Sequence, residues 1–309
     1  MRLTVLAGGI GAARLLAGLA TVTDPAQITA ICNVGDDLEW HGLHVSPDID
    51  SVIYTLAGLE GEFGWGLRGD THATLEALRD LGGDAWFGIG DQDLATHLFR
   101  TARLRVGMTL AEATADLARA RGIEVTVLPV SNDPHPTIVQ TADGDLPFQT
   151  YFVQRRAADA VTGFTFPNAS NTRPAPGVIE AIEDCDALVF APSNPFVSID
   201  PLFAVPGVRD AVLRTQARRF AVSPIVGGAA IKGPAADMMR ALGHEVSALG
   251  VARLYAGLID CFVVDNVDAD CVPAVQTLGM DAVACDTMMT GDDGRARVAT
   301  ALLEIIERG

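Results

Sequence analysis

The sequence predicts an α/β fold built on a mostly parallel sheet. Apolar runs of strand length alternate with helix-period patterns, and most runs end in a turn carrying Gly, Ser, Asn or Asp. Only one segment has the two-armed alternation of a hairpin. With 309 residues, 49% of them hydrophobic, the chain has the material for a large core. The organisation this predicts is a single domain over 1–309, with a helical and hairpin subregion inserted at about 60–165.

Taken in order, "LTVLA" (3–7) is a first strand, and the glycines behind it open a helix over 11–20. "ITAICNV" (28–34) is the second strand. Helices follow from near Asp50 ("DIDSVIYTLAGL") and over 71–82 ("THATLEALRDLG"). "AWFGIG" reads as a short strand leading into the helix "DQDLATHLFRTARLR", and "IEVTVLPVS" (123–131) as another strand. In 136–154, two alternating arms flank Asp143-Gly144, the signature of a hairpin. "DALVFAPSNP", "RRFAVSPIVGG" and "DCFVVDN" are later strand-and-turn units.

Composition excludes several classes of function. A net charge of −17 argues against nucleic acid or an anionic membrane as partner. No window holds eighteen uninterrupted apolar residues, so no membrane span is predicted. The opening "MRLTVLAGGIGAARLL" has the charge and apolar run of a short signal peptide but no cleavage site after a proper apolar region, so it reads as strand and turn. Five scattered cysteines without C-x-x-C predict reduced thiols and a cytoplasmic protein. Lys232 is the only lysine. An acidic protein that binds an anionic substrate needs a local device: a helix start, a nest of amides or a metal.

Such devices are present. In "LAGGIGAARLL", Gly8, Gly9 and Gly11 put backbone amides at a helix start, where a phosphate can sit. A plain tight turn is the competing reading. The match to a dinucleotide fingerprint is loose: Arg14 follows Ala12-Ala13, and Asn33 stands where an acidic ribose ligand would end the second strand.

After that strand comes "NVGDDLEWHGLHVSPDID" (33–50), with five carboxylates and two histidines. His41 and His44 have a zinc-like spacing but no third ligand nearby, which favours a scaffolding role. Oxygen ligation by Asp37, Asp48 and Asp50 suits a hard cation such as Mg²⁺. Against this, Asp50 could cap a helix over "SVIYTL" and Asp36 could be a turn residue. "GIGDQDLATH" (88–97), "APSNP" (191–195) and "SPIVGG" (223–228) read as further polar strand-end turns. Capping by Asp91, Asp93, Ser193, Asn194 and Ser223 is their structural alternative.

Taken together, "LAGGIGAARLL", "NVGDD", "HGLHVSPDIDSVIYTL", "WGLRGDT", "GDQDLATH", "FQTYFVQRR", "APSNPFVSI", "SPIVGGAAIKGPA" and "DTMMT" resemble, in this order, the 2-phospho-L-lactate transferases of coenzyme F420 biosynthesis. The resemblance runs from residue 3 to about 290. It implies a Rossmann-like core with helices on both faces, a smaller insertion and a homodimer. It implies transfer of a phosphorylated three-carbon acid from a guanosine diphosphate carrier to the ribityl hydroxyl of the deazaflavin Fo, with release of GMP, formation of F420-0 or its dehydro form, and a requirement for Mg²⁺.

By the same resemblance, Asp37 and Asp48, joined by Asp50, hold the metal. The amides of Gly8, Gly9 and Gly11 hold the diphosphate, and Asn33, Ser193, Asn194, Ser223 and Gly227 contact the nucleotide. Asp50, Trp65, Asp91, Gln92, Thr96 and His97 meet the deazaflavin, with Asp50 and Asp48 as the catalytic carboxylates. One departure stands out: Gln92 occupies the position of a family arginine in Gly90-Asp91-Gln92-Asp93.

Two other classes stay open on sequence. A nucleotide-sugar-binding regulator of the gluconeogenesis-factor type shares the core, and "SPDID", "GDQDLATH" and "FQTYFVQRR" weigh against it. An NAD-dependent oxidoreductase is disfavoured by Asn33 and the missing final glycine. Phospholactate, phosphoenolpyruvate and phosphoglycerate donors differ by groups worth about 1–3 kcal/mol in discrimination, and no motif commits to one of them.

Overall fold

A computed structural model describes residues 1–62 and 64–308. Seven strands form one parallel sheet, in the order Asp281–Cys285, Cys261–Asp265, Arg218–Val222, Ala187–Phe190, Leu3–Ala7, Ile28–Cys32 and Thr126–Pro129. The first strand lies inside the sheet. The chain winds outward from it through Ile28–Cys32 to Thr126–Pro129, then returns beside it at Ala187–Phe190 and winds the other way. That reversal opens a crevice beyond the carboxyl ends of Leu3–Ala7 and Ala187–Phe190.

The strands read as continuous apolar runs because the sheet is covered. All residues of Leu3–Ala7, Ala187–Phe190 and Cys261–Asp265 are buried. Helix Gly9–Val22 packs against Pro47–Leu56 and Gly291–Glu307, while Val178–Glu183 packs against Val208–Arg214. Gly18 permits the approach to Gly291–Glu307, since a Cβ there would fall 2.3 Å from the Arg295 carbonyl oxygen.

Several elements differ from expectation. The proposed insertion at 60–165 is not one block, because Thr126–Pro129 inside it pairs with Ile28–Cys32 as the edge of the main sheet. "AWFGIG" forms no strand. Trp86, Phe87 and Ile89 instead join Trp40, Val45 and Leu94 in a satellite apolar cluster, so their burial comes from side chains without a backbone ladder. The hairpin at Asp143-Gly144 is present, but its second arm ends at Pro147, and "TYFVQ" winds into a π-helical turn over Thr150–Gln154. A third strand, Val161–Thr165, completes that small sheet.

Helix Pro47–Leu56 begins before Asp50, which therefore lies in its first turn and is not its cap. Inside the acidic stretch lies an unforeseen hairpin, Leu38–Trp40 with Leu43–Val45, turned by His41 at φ 50° and Gly42 at φ 75°.

Candidate active site

The crevice at the sheet reversal deepens into a cavity of about 520 Å³. Its first wall is the turn after Leu3–Ala7. Gly9 adopts φ 69°, a conformation that glycine takes without strain, and its amide donates to Asp48 Oδ1 at 2.7 Å. A Cβ on Gly8 would lie 2.5 Å from Ser198 Cβ, and one on Gly11 would lie 2.1 Å from the Pro192 carbonyl. Gly8 and Gly11 thus admit neighbouring segments, and the Gly9 amide already holds a carboxylate.

That carboxylate belongs to an acidic floor. The fully buried Asn33 extends its amide to Asp36 Oδ1 at 2.8 Å, Asp48 Oδ2 at 3.0 Å and the Val197 carbonyl at 3.1 Å. Asp36 and Asp48 both line the cavity. Burial pushes the Asp48 carboxyl up to about 6, against the Asn33 and Gly9 hydrogen bonds that hold it down. Burial, then the neighbouring Asp48 and Asp37, push Asp36 well above the usual carboxylate range. Two adjacent buried carboxylates that meet no arginine within 4.0 Å among the described residues form a site short of positive charge.

Of the three aspartates expected to hold a metal, Asp48 and Asp50 line the cavity and Asp37 does not. Asp37 commits Oδ2 to His44 Nε2 and Ser46 Oγ, each at 2.9 Å, while its Oδ1 is buried with no hydrogen-bond partner among the described residues. Asp50 is bound by the guanidinium of Arg100, which is fully buried. No group of three or more His, Cys, Asp or Glu is poised for a metal ion among the described residues. Asp48 does face the cavity, beside Asp36 rather than Asp37. Two hard oxygen donors whose ionisation the site disfavours without a cation fit Mg²⁺, which takes one or two carboxylates and completes its shell from substrate phosphates and water.

Aromatic rings line another part of the cavity. Trp65 meets Phe152 with centroids 6.0 Å apart, and Phe152 stacks on Phe148 at 5.5 Å and 7°. The π-helical turn over Thr150–Gln154 delivers Phe152, and a second one, Pro195–Ile199, delivers Val197 and Ser198. Two cations also line the cavity: Arg14, half-buried on the first helix, and Lys232, with Nζ 5.9 Å from the Trp65 ring centroid.

The remaining sequence candidates divide. Ser193, Asn194 and His97 line the cavity. Ser193 Oγ donates to the Gly8 carbonyl at 2.7 Å, and Asn194 Oδ1 caps Phe196. Ser223, Gly227, Asp91, Gln92 and Thr96 do not line it. Ser223 Oγ closes its own turn on Ile225, and the Gly227 amide donates to Asp268. Asp91 accepts from the amides of Ala73 and Thr74 and from the Thr71 hydroxyl, so it caps the preceding helix. His41 binds the Asp84 carbonyl and His44 binds Asp37, which makes both scaffolding. Sequence reasoning missed Asp36, Arg100, Phe148 and Phe152. The quoted "FQTYFVQRR" held a signal for the last two, whereas nothing local marked Arg100.

The profile of the family described as "2-phospho-L-lactate transferase CofD" matches residues 3–303. A phosphoenolpyruvate transferase of Streptomyces griseus is 43% identical over 314 residues, covering 99% of each chain. A 2-phospho-L-lactate transferase of Methanothermobacter thermautotrophicus is 39% identical over 302 residues, covering 97% of each. A crystal structure of a UPF0052 family protein from Bacillus halodurans superimposes over 98% of both chains, with a TM-score of 0.64 at 18% identity, a likeness of fold alone.

Proposed function

Because the chain belongs to the 2-phospho-L-lactate transferase CofD family, we propose that it moves a phosphorylated three-carbon acid from a guanosine diphosphate carrier to the ribityl hydroxyl of Fo, releasing GMP and forming F420-0 or dehydro-F420-0. The observation that carries this reading is the make-up of one cavity. It joins a carboxylate pair suited to a cation–diphosphate unit with stacked aromatic rings suited to a planar heterocycle.

In the reaction, the acceptor hydroxyl oxygen bonds to the β-phosphorus as the bond from that phosphorus to the bridging oxygen breaks; the bridging oxygen leaves as part of the GMP phosphate, and the hydroxyl proton passes to solvent. Asp36 and Asp48 would hold Mg²⁺, which when bound supplies neutralisation of charge on the diphosphate. The protein's other groups orient. Arg14 lines the cavity where a phosphate oxygen can reach it, and Phe148, Phe152 and Trp65 line it as aromatic surface against which the deazaflavin would pack. Asp50 lines the cavity with its charge already matched by Arg100. With that charge matched, Asp50 is suited to orienting the acceptor hydroxyl rather than to deprotonating it.

The deciding experiment offers purified protein Fo, Mg²⁺ and the three guanosine diphosphate donors in competition, and weighs the products by mass spectrometry. One deazaflavin product with stoichiometric GMP is expected. No product from any donor, together with no change in deazaflavin fluorescence on mixing, would return the chain to the regulatory reading.

A further inference from the structure

Arg100 lies behind the cavity wall, fully buried and absent from the lining, on the helix Asp91–Arg105. Its two terminal nitrogens meet the two oxygens of Asp50: Nη1 lies 3.2 Å from Oδ2, and Nη2 binds Oδ1. Nη1 also lies 3.3 Å from the His44 carbonyl and 3.4 Å from Nδ1 of His97. His97 Nε2 is 3.3 Å from Asp93 Oδ1, which accepts the Tyr54 hydroxyl at 2.6 Å. Asp50, His97, Asp93 and Tyr54 all line the cavity, and Arg100 ties the first two together from outside it.

A planar fork that meets both oxygens of a carboxylate fixes its rotation, which a point charge does not. Charge compensation alone would need only one contact. We infer that Arg100 is a positioning residue of the transfer reaction, holding the Asp50 carboxylate in the single orientation it presents to the hydroxyl-bearing acceptor. This rests on the proposed function, since it requires an acceptor that bonds Asp50. It assigns a role to a residue that touches no substrate and that lies fifty positions away from its partner.

The test reads the Kd for Fo, from deazaflavin fluorescence, against the KM for the guanosine diphosphate donor. Arg100→Lys keeps the charge and gives up the fork. It is expected to raise the Kd for Fo about tenfold with the donor KM within about twofold of wild type. A folded Arg100→Lys protein with an unchanged Kd for Fo overturns the inference, as does a parallel loss of both ligands. Should Arg100→Lys not fold, Asp50→Asn is compared with Asp50→Asn/Arg100→Gln, a pair that leaves no unmatched buried carboxylate. Arg100 can still orient the Asn oxygen, so the double variant is expected to bind Fo about threefold more weakly than the single one. Equal affinities overturn the inference. Wild-type protein that neither binds nor converts Fo removes the proposed function and the inference with it, whereas wild-type turnover with an indifferent Arg100 removes the inference alone.

Discussion

Asp36 and Asp48 share one hydrogen-bond donor, Asn33, line the cavity, and form no ion pair with an arginine among the described residues. Structural aspartates in this chain are treated otherwise: Asp91 collects amides at a helix start, and Asp116 sits between two arginines. Asp48→Asn is therefore expected to separate activity from stability. It removes a buried charge and keeps an oxygen for the Gly9 amide, but sets its NH2 group against the Asn33 donor; with the two effects opposed, the melting temperature should shift by only a few degrees, while kcat falls by about 10²–10⁴-fold. Near-normal turnover in Asp48→Asn and in Asp50→Asn would sink the carboxylate mechanism.

His135 supplies a test at the same scale outside the cavity. Its Nε2 meets the Pro201 carbonyl at 2.9 Å, its ring stacks on Phe166, and its Nδ1 is buried without a partner among the described residues. Burial holds it below its ordinary 6.5, against the pull of the Pro201 hydrogen bond. The unfolded chain thus takes up this proton first. The stability it contributes is complete above 6.5 and is lost as pH falls toward the lower folded value, at up to about 1.4 kcal/mol per pH unit. His135→Gln keeps a donor for Pro201 without the titration. Melting curves from about pH 7 to 5 should fall less steeply for the variant, and parallel curves refute the assignment.

At the scale of elements, the central strands were legible because burial on both faces leaves an uninterrupted apolar run. The strand Asp281–Cys285 escaped notice for the complementary reason: it lies at the sheet edge, with one of its five residues buried. "AWFGIG" misled because two aromatic rings and an isoleucine look like a strand whether they pair through backbone or pack on Trp40. The hairpin in the acidic stretch needed a positive φ at His41, which its histidine did not advertise.

In the site, residue types at strand ends could be read from the chain, but side-chain direction could not. Nothing in "NVGDD" says that Asp36 faces the cavity and Asp37 faces His44. The contact between the first and last helices follows from one small residue. Gly18→Ala would drive a methyl onto the Arg295 carbonyl, which belongs to the backbone of a seventeen-residue helix. A cost of about 1–3 kcal/mol is expected in denaturant unfolding. A stability change below about 0.5 kcal/mol would mean that the two helices slide apart freely.

For the whole molecule, the strand order places the cavity before any side chain is considered. The reversal beside Leu3–Ala7 leaves a gap at the carboxyl edge, and the turns after Leu3–Ala7 and Ala187–Phe190 border it. The charge of the whole molecule then works against the ligand that this gap is proposed to hold. At −17, the protein repels an anionic donor at long range, while Arg14 and Lys232 act only within the cavity. Salt discriminates between the two, because the screening length falls from about 30 Å at 0.01 M to about 8 Å at 0.15 M and leaves contacts of a few ångströms less affected. With Mg²⁺ held saturating, kcat/KM for the donor should therefore rise about threefold over that range. If it falls instead, capture is governed by the cavity cations from a distance, and neutralising Arg14 or Lys232 should then abolish the salt dependence.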